Sequence, residues 1–180
     1  MKTSFYTPEE LAQIGLKSYG ENVRISRYAQ IYSPEKISIG DNVRIDDFCI
    51  LSGNITIGSH IHIAAYCALY GADYGIIMED YTGLSARATI YAAMDDFSGD
   101  YLIGPIHEDK SINVTGGLVQ ICKYAQIGVG GLVFPGVCVG EGTVLGAMSM
   151  AKQALIPWSI YAGIPAKKIK NRSKGLLDLI

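Results

Sequence analysis

Between residues 37 and 71 an isoleucine or leucine returns at every sixth position, at Ile39, Ile45, Leu51, Ile57, Ile63 and Leu69. A helix repeats near 3.6 residues and a strand near two, so neither alone accounts for a period of six. A second column of apolar or small residues precedes the first by two positions, at Val43, Cys49, Ile55, Ile61 and Cys67. Residues two apart on an extended segment share a side, so both columns point inward, while the polar and glycine positions between them ("DN", "GN", "SH") turn the chain. Each hexad is therefore a short strand and a corner. So small a unit cannot bury its own apolar face, and successive units must stack at the strand spacing of about 4.8 Å. Three hexads close a triangular coil of 18 residues, which stacks Ile45 with Ile63 and Cys49 with Cys67. The pattern predicts an all-β solenoid.

The same rhythm appears earlier at Tyr19, Ile25 and Ile31 and later at Ile121, Ile127, Val133, Val139 and Leu145. Two short breaks push loops outward, "SPEK" before Ile39 and "GADYG" after Leu69. Beyond the second break the register that keeps Arg87 out of the core steps from Ile77 to Leu84 and then to Ile90. The long break over residues 92–116 carries Asp, Tyr, His and Pro, and a loop of that length inside a compact repeat predicts a functional element. Residues 1–18 form a cap, in which Thr7, Pro8 and Glu10 spell a capping box for a short helix. The solenoid is expected over 19–157, and residues 158–180 are expected to leave it and form a helix after Pro165, all within a single domain.

Composition adds bounds. The 180 residues are 49% hydrophobic, enough for one core, and the net charge of -2 supplies no global basic field for nucleic acid. No 18-residue apolar run and no signal-peptide segment are present, which predicts a cytoplasmic protein without membrane insertion. The four cysteines form no CxxC pair, and Cys49 and Cys67, eighteen apart, read as stacked small core residues rather than a disulfide or metal site.

The [LIV]-G-x-x-[STAV]-x hexads, the interrupting loop and the segment "IGVGGLVFPGVCVGEGTVLGAMSMAKQALIPWSIYAGIPAKKI" resemble the hexapeptide-repeat acetyltransferases. The nearest likeness is to the galactoside, maltose and xenobiotic branch, together with sugar acetyltransferases of surface-polysaccharide synthesis. That resemblance implies a left-handed parallel β-helix, a homotrimer, and acetyl-CoA as co-substrate in a groove between neighbouring helices. Its small-x-G-x-P-A motif corresponds to Ala162, Gly163, Pro165 and Ala166. Lys167 and Lys168 follow the motif as candidates for the coenzyme phosphates, or else belong to a solvated basic tail, and Lys152 joins the candidate cations. Gly128, Gly130 and Ala147 leave room for pantetheine beside the backbone. Trp158 either stacks on adenine or caps the last coil.

Sugar O-acetyltransferases of this family resemble one another in a "T-G-H-P" segment whose His is the general base; the alignment here puts Asp95 in its place, followed by Asp96. A carboxylate, with an ordinary pKa near 4, is a poor base for a hydroxyl but holds an ammonium well. The exchange points to N-acetylation of a nucleotide-linked amino sugar, with sugar O-acetylation as the alternative. For that alternative the candidate bases are His107, in the loop, and His62, outward on a strand. Asp46 and Asp47 at a corner, and the flat rings of Tyr66, Tyr70 and Tyr91, are candidates for holding the sugar nucleotide. Two other uses of the fold fit less well. A zinc trimer needs three convergent histidines, and no metal is expected here; an ice-binding or purely structural solenoid needs a regular Thr ladder, whereas Arg44, Ile50, Thr56, His62 and Ala68 make none.

Overall fold

The computed structural model describes residues 4–180, and the first three residues of the expected cap lie outside them. Hexad by hexad, the chain winds into about seven triangular coils whose strands pair in parallel with the coils before and after. One face stacks Arg24–Ile25, Val43–Ile45, Ile61–Ile63, Gly83–Leu84, Gln126–Ile127, Val144–Leu145 and Ser159–Gly163. The second is built on Gln30–Tyr32, Thr89–Tyr91, Leu132–Val133 and Met150–Ala151, and the third on Ile37–Ile39, Val119–Ile121 and Cys138–Val139. Strands Ile50–Ile57 and Ala68–Met78 run through a corner and serve both of the latter faces. Their bend needs Gly53, at φ +85°, because a Cβ there would lie 2.6 Å from the Ala72 amide nitrogen. This is the parallel solenoid that the hexads predict, and it matches the left-handed β-helix that the family resemblance implies.

The two inward columns form the core. Ile25, Ile45, Ile63 and Leu84 are sealed along the first face, and Leu51, Leu69 and Ile90 along the second. Each such side chain contributes about 1.5–3 kcal/mol by leaving water. Cys49 and Cys67 are buried free thiols that donate to the carbonyls of Ala64 and Ser85, as small core residues should. The helix Pro8–Ala12 carries the full capping box: the Thr7 hydroxyl accepts from the Glu10 amide, and the Glu10 carboxylate accepts from the Thr7 amide. Glu10 also pairs with Arg27, fastening the cap to the first coil.

Three expectations change. Met78, not Ile77, carries the register beyond the second break: it is 1% exposed and pairs with Ile57 and Ile121, while Ile77 faces outward. The step from Leu69 is therefore nine residues, and Leu84 follows Met78 by six with Arg87 still outside. The chain does not turn helical after Pro165; Ala166–Asn171 is a strand, antiparallel to Ser159–Gly163, and only a 3-10 turn at Gly175–Leu179 follows. The last coil offers an open strand edge, and pairing with it satisfies backbone groups that a helix would leave exposed on that edge. For the same reason the solenoid runs on to Gly163, past the expected boundary at 157.

The corners hold what the sequence pattern does not announce. Asn22, Asn42, His60, Tyr81, Tyr124 and Trp158 turn one edge, all with φ between 53° and 63°. Left-handed backbone costs a non-glycine residue about 1–2 kcal/mol. Stacking offsets part of that cost, with His60 on Tyr81 at 4.6 Å and Phe48 on Tyr66 at 5.0 Å at the next corner. Among the described residues no helix is long and apolar enough to cross a membrane.

Candidate active site

The long loop leaves the second face after Tyr91 as a hairpin, Ala93–Asp95 antiparallel to Val114–Gly116. Under the hairpin lies a cavity of about 600 Å³ lined by Tyr70, Tyr91, Ala93, Met94, Asp95, Phe97, Pro105 and Val114. Tyr70 and Tyr91 stack at 4.9 Å with an 18° interplanar angle and make a flat floor. Burial, helped by Tyr70, pushes the Tyr91 phenol above its ordinary pKa. Asp95 is the one charged residue in the lining. Asp96 faces away into the loop: its carboxylate accepts from the Ser98 amide at 2.7 Å and the Asn113 side-chain amide at 2.8 Å. Those bonds, the Ser98 amide first, hold its pKa below the usual carboxylate value. His107 is exposed on the loop and absent from the cavity wall.

A second cavity, about 450 Å³, opens on the first face between His60, His62, Tyr81, Gly83, Ser85 and Gln126. His62 is exposed, as expected for an outward strand position, and its Nε2 lies 2.8 Å from Asp46. Arg44 donates to the other Asp46 oxygen at 2.7 Å. Desolvation raises the Asp46 pKa, but the bonds from His62 and Arg44 outweigh it and the net shift is downward. Asp47 instead accepts from the Ser26 hydroxyl, inside the first coils. Tyr66 stands between Phe48 and Arg87 in the corner stack, away from both cavities.

Ser85 opens a lane that the sequence pattern missed. The residues directly after the inward position of the first face run Ala64, Ser85, Gly128, Gly146 and Ala162, one per coil, and the first four each donate a backbone hydrogen bond to the next coil. The lane is narrow in side chain and flat in backbone. A Cβ on Gly128 would fall 2.6 Å from the Ala147 amide nitrogen, so glycine is required there. From Ser85 to Ala162 are three coil steps, about 14 Å at the strand spacing. The lane ends beside the C-terminal hairpin, where Gly163 donates to Ser149 and Pro165 lies in the turn. Lys167 and Lys168 stand exposed on the following strand. Arg172 fixes the hairpin by donating to the carbonyls of Tyr124 at 2.8 Å and Gly142 at 3.0 Å.

The remaining candidates lie off the lane. Gly130 packs under Met148 at a corner, and Lys152 sits 5.4 Å above the Phe134 ring. Trp158 covers Gly142, tilts against Tyr124 and carries the Lys174 ammonium 5.2 Å from its ring. Its surroundings are those of a cap on the last coils.

A triangular parallel solenoid with a looped-out hairpin over one cavity and a small-residue lane leading to a basic edge is the architecture of a hexapeptide transferase. Residues 36–71 match the family described as bacterial transferase hexapeptide (six repeats). The chain is 42% identical to the dTDP-4-amino-4,6-dideoxy-D-glucose acyltransferase of Escherichia coli, over 94% of this chain and 90% of that one. It superimposes with a TM-score of 0.97 on a variant of AntD, an N-acyltransferase from Bacillus cereus, in complex with dTDP-4-amino-4,6-dideoxyglucose and coenzyme A. Identity to that chain is 52%, covering 99% of this chain and 96% of the other. AntD bound to dTDP and 3-hydroxybutyryl-CoA gives the same score at 53% identity, covering 99% and 95%. The chain belongs to the hexapeptide-repeat acyltransferases, among the sugar acyltransferases with a left-handed β-helix, and it is an enzyme of that class.

Proposed function

We propose that the protein transfers a short acyl group, acetyl in the simplest case, from its coenzyme A thioester to the 4-amino group of a dTDP-linked 4-amino-4,6-dideoxyhexose. Such a product suits surface-polysaccharide assembly in the cytoplasm. The observation that carries the reading is Asp95, the one charged side chain in an otherwise apolar and aromatic cavity that contains no histidine. A carboxylate there holds an ammonium well and is a poor base for a hydroxyl. The substrate ammonium docks on Asp95 and sheds one proton to water. Its lone pair then attacks the thioester carbon, the C–N bond forms, the C–S bond breaks, and the second proton leaves with the sulfur as free thiol. The coenzyme arm lies in the Ser85–Ala162 lane with its phosphates at Lys167 and Lys168. Asp96 braces the loop through Asn113 and Ser98.

The working unit is a homotrimer with its site shared between protomers. AntD has been solved with replacements at one aspartate, and at one serine ten positions before it, in the presence of coenzyme A and dTDP or the dTDP-sugar. Asp95 is the only aspartate of this chain with a serine ten positions before it, Ser85. Within one protomer the two line different cavities that have no residue in common. A neighbour that brings its hairpin against the lane unites them. Thiol release from acetyl-CoA, measured against dTDP-4-amino-4,6-dideoxyglucose and against plain galactosides, tests the whole. The amino sugar should be the acceptor, Asp95→Asn should cost at least about 100-fold in kcat/KM, and His107→Asn should cost little. A dead His107 variant beside an active Asp95 variant would overturn the N-acylation reading.

A further inference from the structure

The geometry points to Val114 as the residue that selects a 6-deoxy sugar over its 6-hydroxylated counterpart. The inference rests on Asp95 holding the substrate ammonium. Asp95 and Val114 are direct partners across the antiparallel hairpin, and both line the cavity. Side chains of such partners leave one face of the hairpin with Cβ atoms about 4.5–5.5 Å apart. Val114 lines the cavity and is 42% exposed, so its side chain is not spent on the core. Phe97 and Pro105 complete the apolar wall, and Ala93 stands on the same side of the hairpin as Asp95.

The chemistry of the sugar then leaves little choice. In a 4-amino-4,6-dideoxyhexose the amine on C4 and the methyl C6 sit on adjacent ring carbons. Whatever holds the ammonium must also decide what surrounds C6. With the nitrogen on Asp95, the neighbouring C6 methyl reaches the Val114 side chain and makes an apolar contact. A 6-hydroxyl in that position loses water and finds carbon, which costs a hydrogen bond. Apolar pockets reject an added hydroxyl by about 100-fold at most, so selection of about 10- to 100-fold in kcat/KM is the expected size.

The test compares dTDP-4-amino-4,6-dideoxyglucose with dTDP-4-amino-4-deoxyglucose, which keeps the 6-hydroxyl, as acceptors with acetyl-CoA. Wild type should favour the 6-deoxy sugar by that factor. Val114→Thr, equal in shape and able to hydrogen-bond, should narrow the preference to below about fivefold, chiefly by improving the hydroxylated sugar, with the KM for acetyl-CoA unchanged. Val114→Ile, equally compatible with a strand, adds bulk without a polar atom and should leave the hydroxylated sugar disfavoured. An unselective wild type, or a Val114→Thr enzyme with the wild-type ratio, overturns the assignment. Failure of the underlying reading looks different: Asp95→Asn would then acylate both amino sugars with the kcat/KM of wild type.

Discussion

Arg172→Leu should loosen the C-terminal hairpin, the end proposed to hold the coenzyme, without touching the reacting groups. The guanidinium of Arg172 donates to the Tyr124 and Gly142 carbonyls, which belong to two successive coils, and its own amide donates to the Trp158 carbonyl. Hydrogen bonds from a charged donor are worth about 1.5–3 kcal/mol each. The guanidinium is only half-buried and water can replace part of both bonds, so about 2–4 kcal/mol is the sum to expect. Strand Ala166–Asn171 pairs on one side only, with Ser159–Gly163. An edge strand held along one side only opens more readily than the strands inside the stack. Losing the anchor should thus bring the hairpin from mostly closed to mostly open, and a coenzyme that needs it closed binds more weakly in proportion to the closed fraction. Amide exchange over 166–171 should accelerate by about 30- to 1,000-fold. The KM for acetyl-CoA should rise at least about tenfold while kcat stays within a factor of about three. The Lys167→Ala/Lys168→Ala double variant should raise the same KM with exchange unaltered. Faster exchange with an unchanged KM would show that the hairpin lysines hold no phosphate, and unchanged exchange would show that Arg172 is no anchor.

Two further outcomes follow from titrating groups. Asp46 is held below its ordinary pKa by His62 and Arg44, so its contribution to stability is complete above the unfolded value near 4 and disappears as pH falls through the lower folded value. Asp46→Asn should therefore lower the melting temperature at pH 7 by a gap that narrows as pH falls below about 4; a gap that stays constant as the solution is acidified would mean the carboxylate charge is irrelevant. Burial, then the neighbouring Cys138 thiol 3.7 Å away, pushes the Cys122 thiol up to about 12. The thiolate is scarce at pH 8, so Cys122 should react with a thiol reagent more slowly in native than in unfolded protein, and equal rates would contradict the upward shift.

The fold was legible because its signal is redundant. Six evenly spaced aliphatic residues fix three faces and a core, and a single substitution such as Cys49 does not erase the period. Legibility fails where the signal loses that redundancy. In "GIIM" three consecutive apolar residues fit either inward phase, and only the outward excursion of Gly71 to Gly75 settles that Ile76 and Met78 point in. The strand Ala166–Asn171 was unreadable for another reason. Its sequence, "AKKIKN", has no strand alternation strong enough to announce itself, and its conformation is imposed by an unpaired edge that exists only once the coils are stacked.

The candidate site divides in the same way. Asp95 stands out as a candidate because a local motif has a fixed place relative to the hexads, and in the structure it lines a cavity. Ser85 is one of many small residues at corner positions and carries no local mark; it stands out only when five coils align Ala64, Ser85, Gly128, Gly146 and Ala162 into one lane. Trp158 shows the converse. A lone tryptophan near the end of a coenzyme-binding chain invites a stacking role, yet Gly142, Tyr124 and Lys174 already surround its indole. To stack on adenine it would have to give up the contact with Lys174, so the cap, and through Gly142 the Arg172 anchor, is the role that its neighbours support. The C-terminal end of the solenoid is then a device for holding one edge strand in place, and the role proposed for Lys167 and Lys168 depends on Trp158 and Arg172 keeping that strand closed.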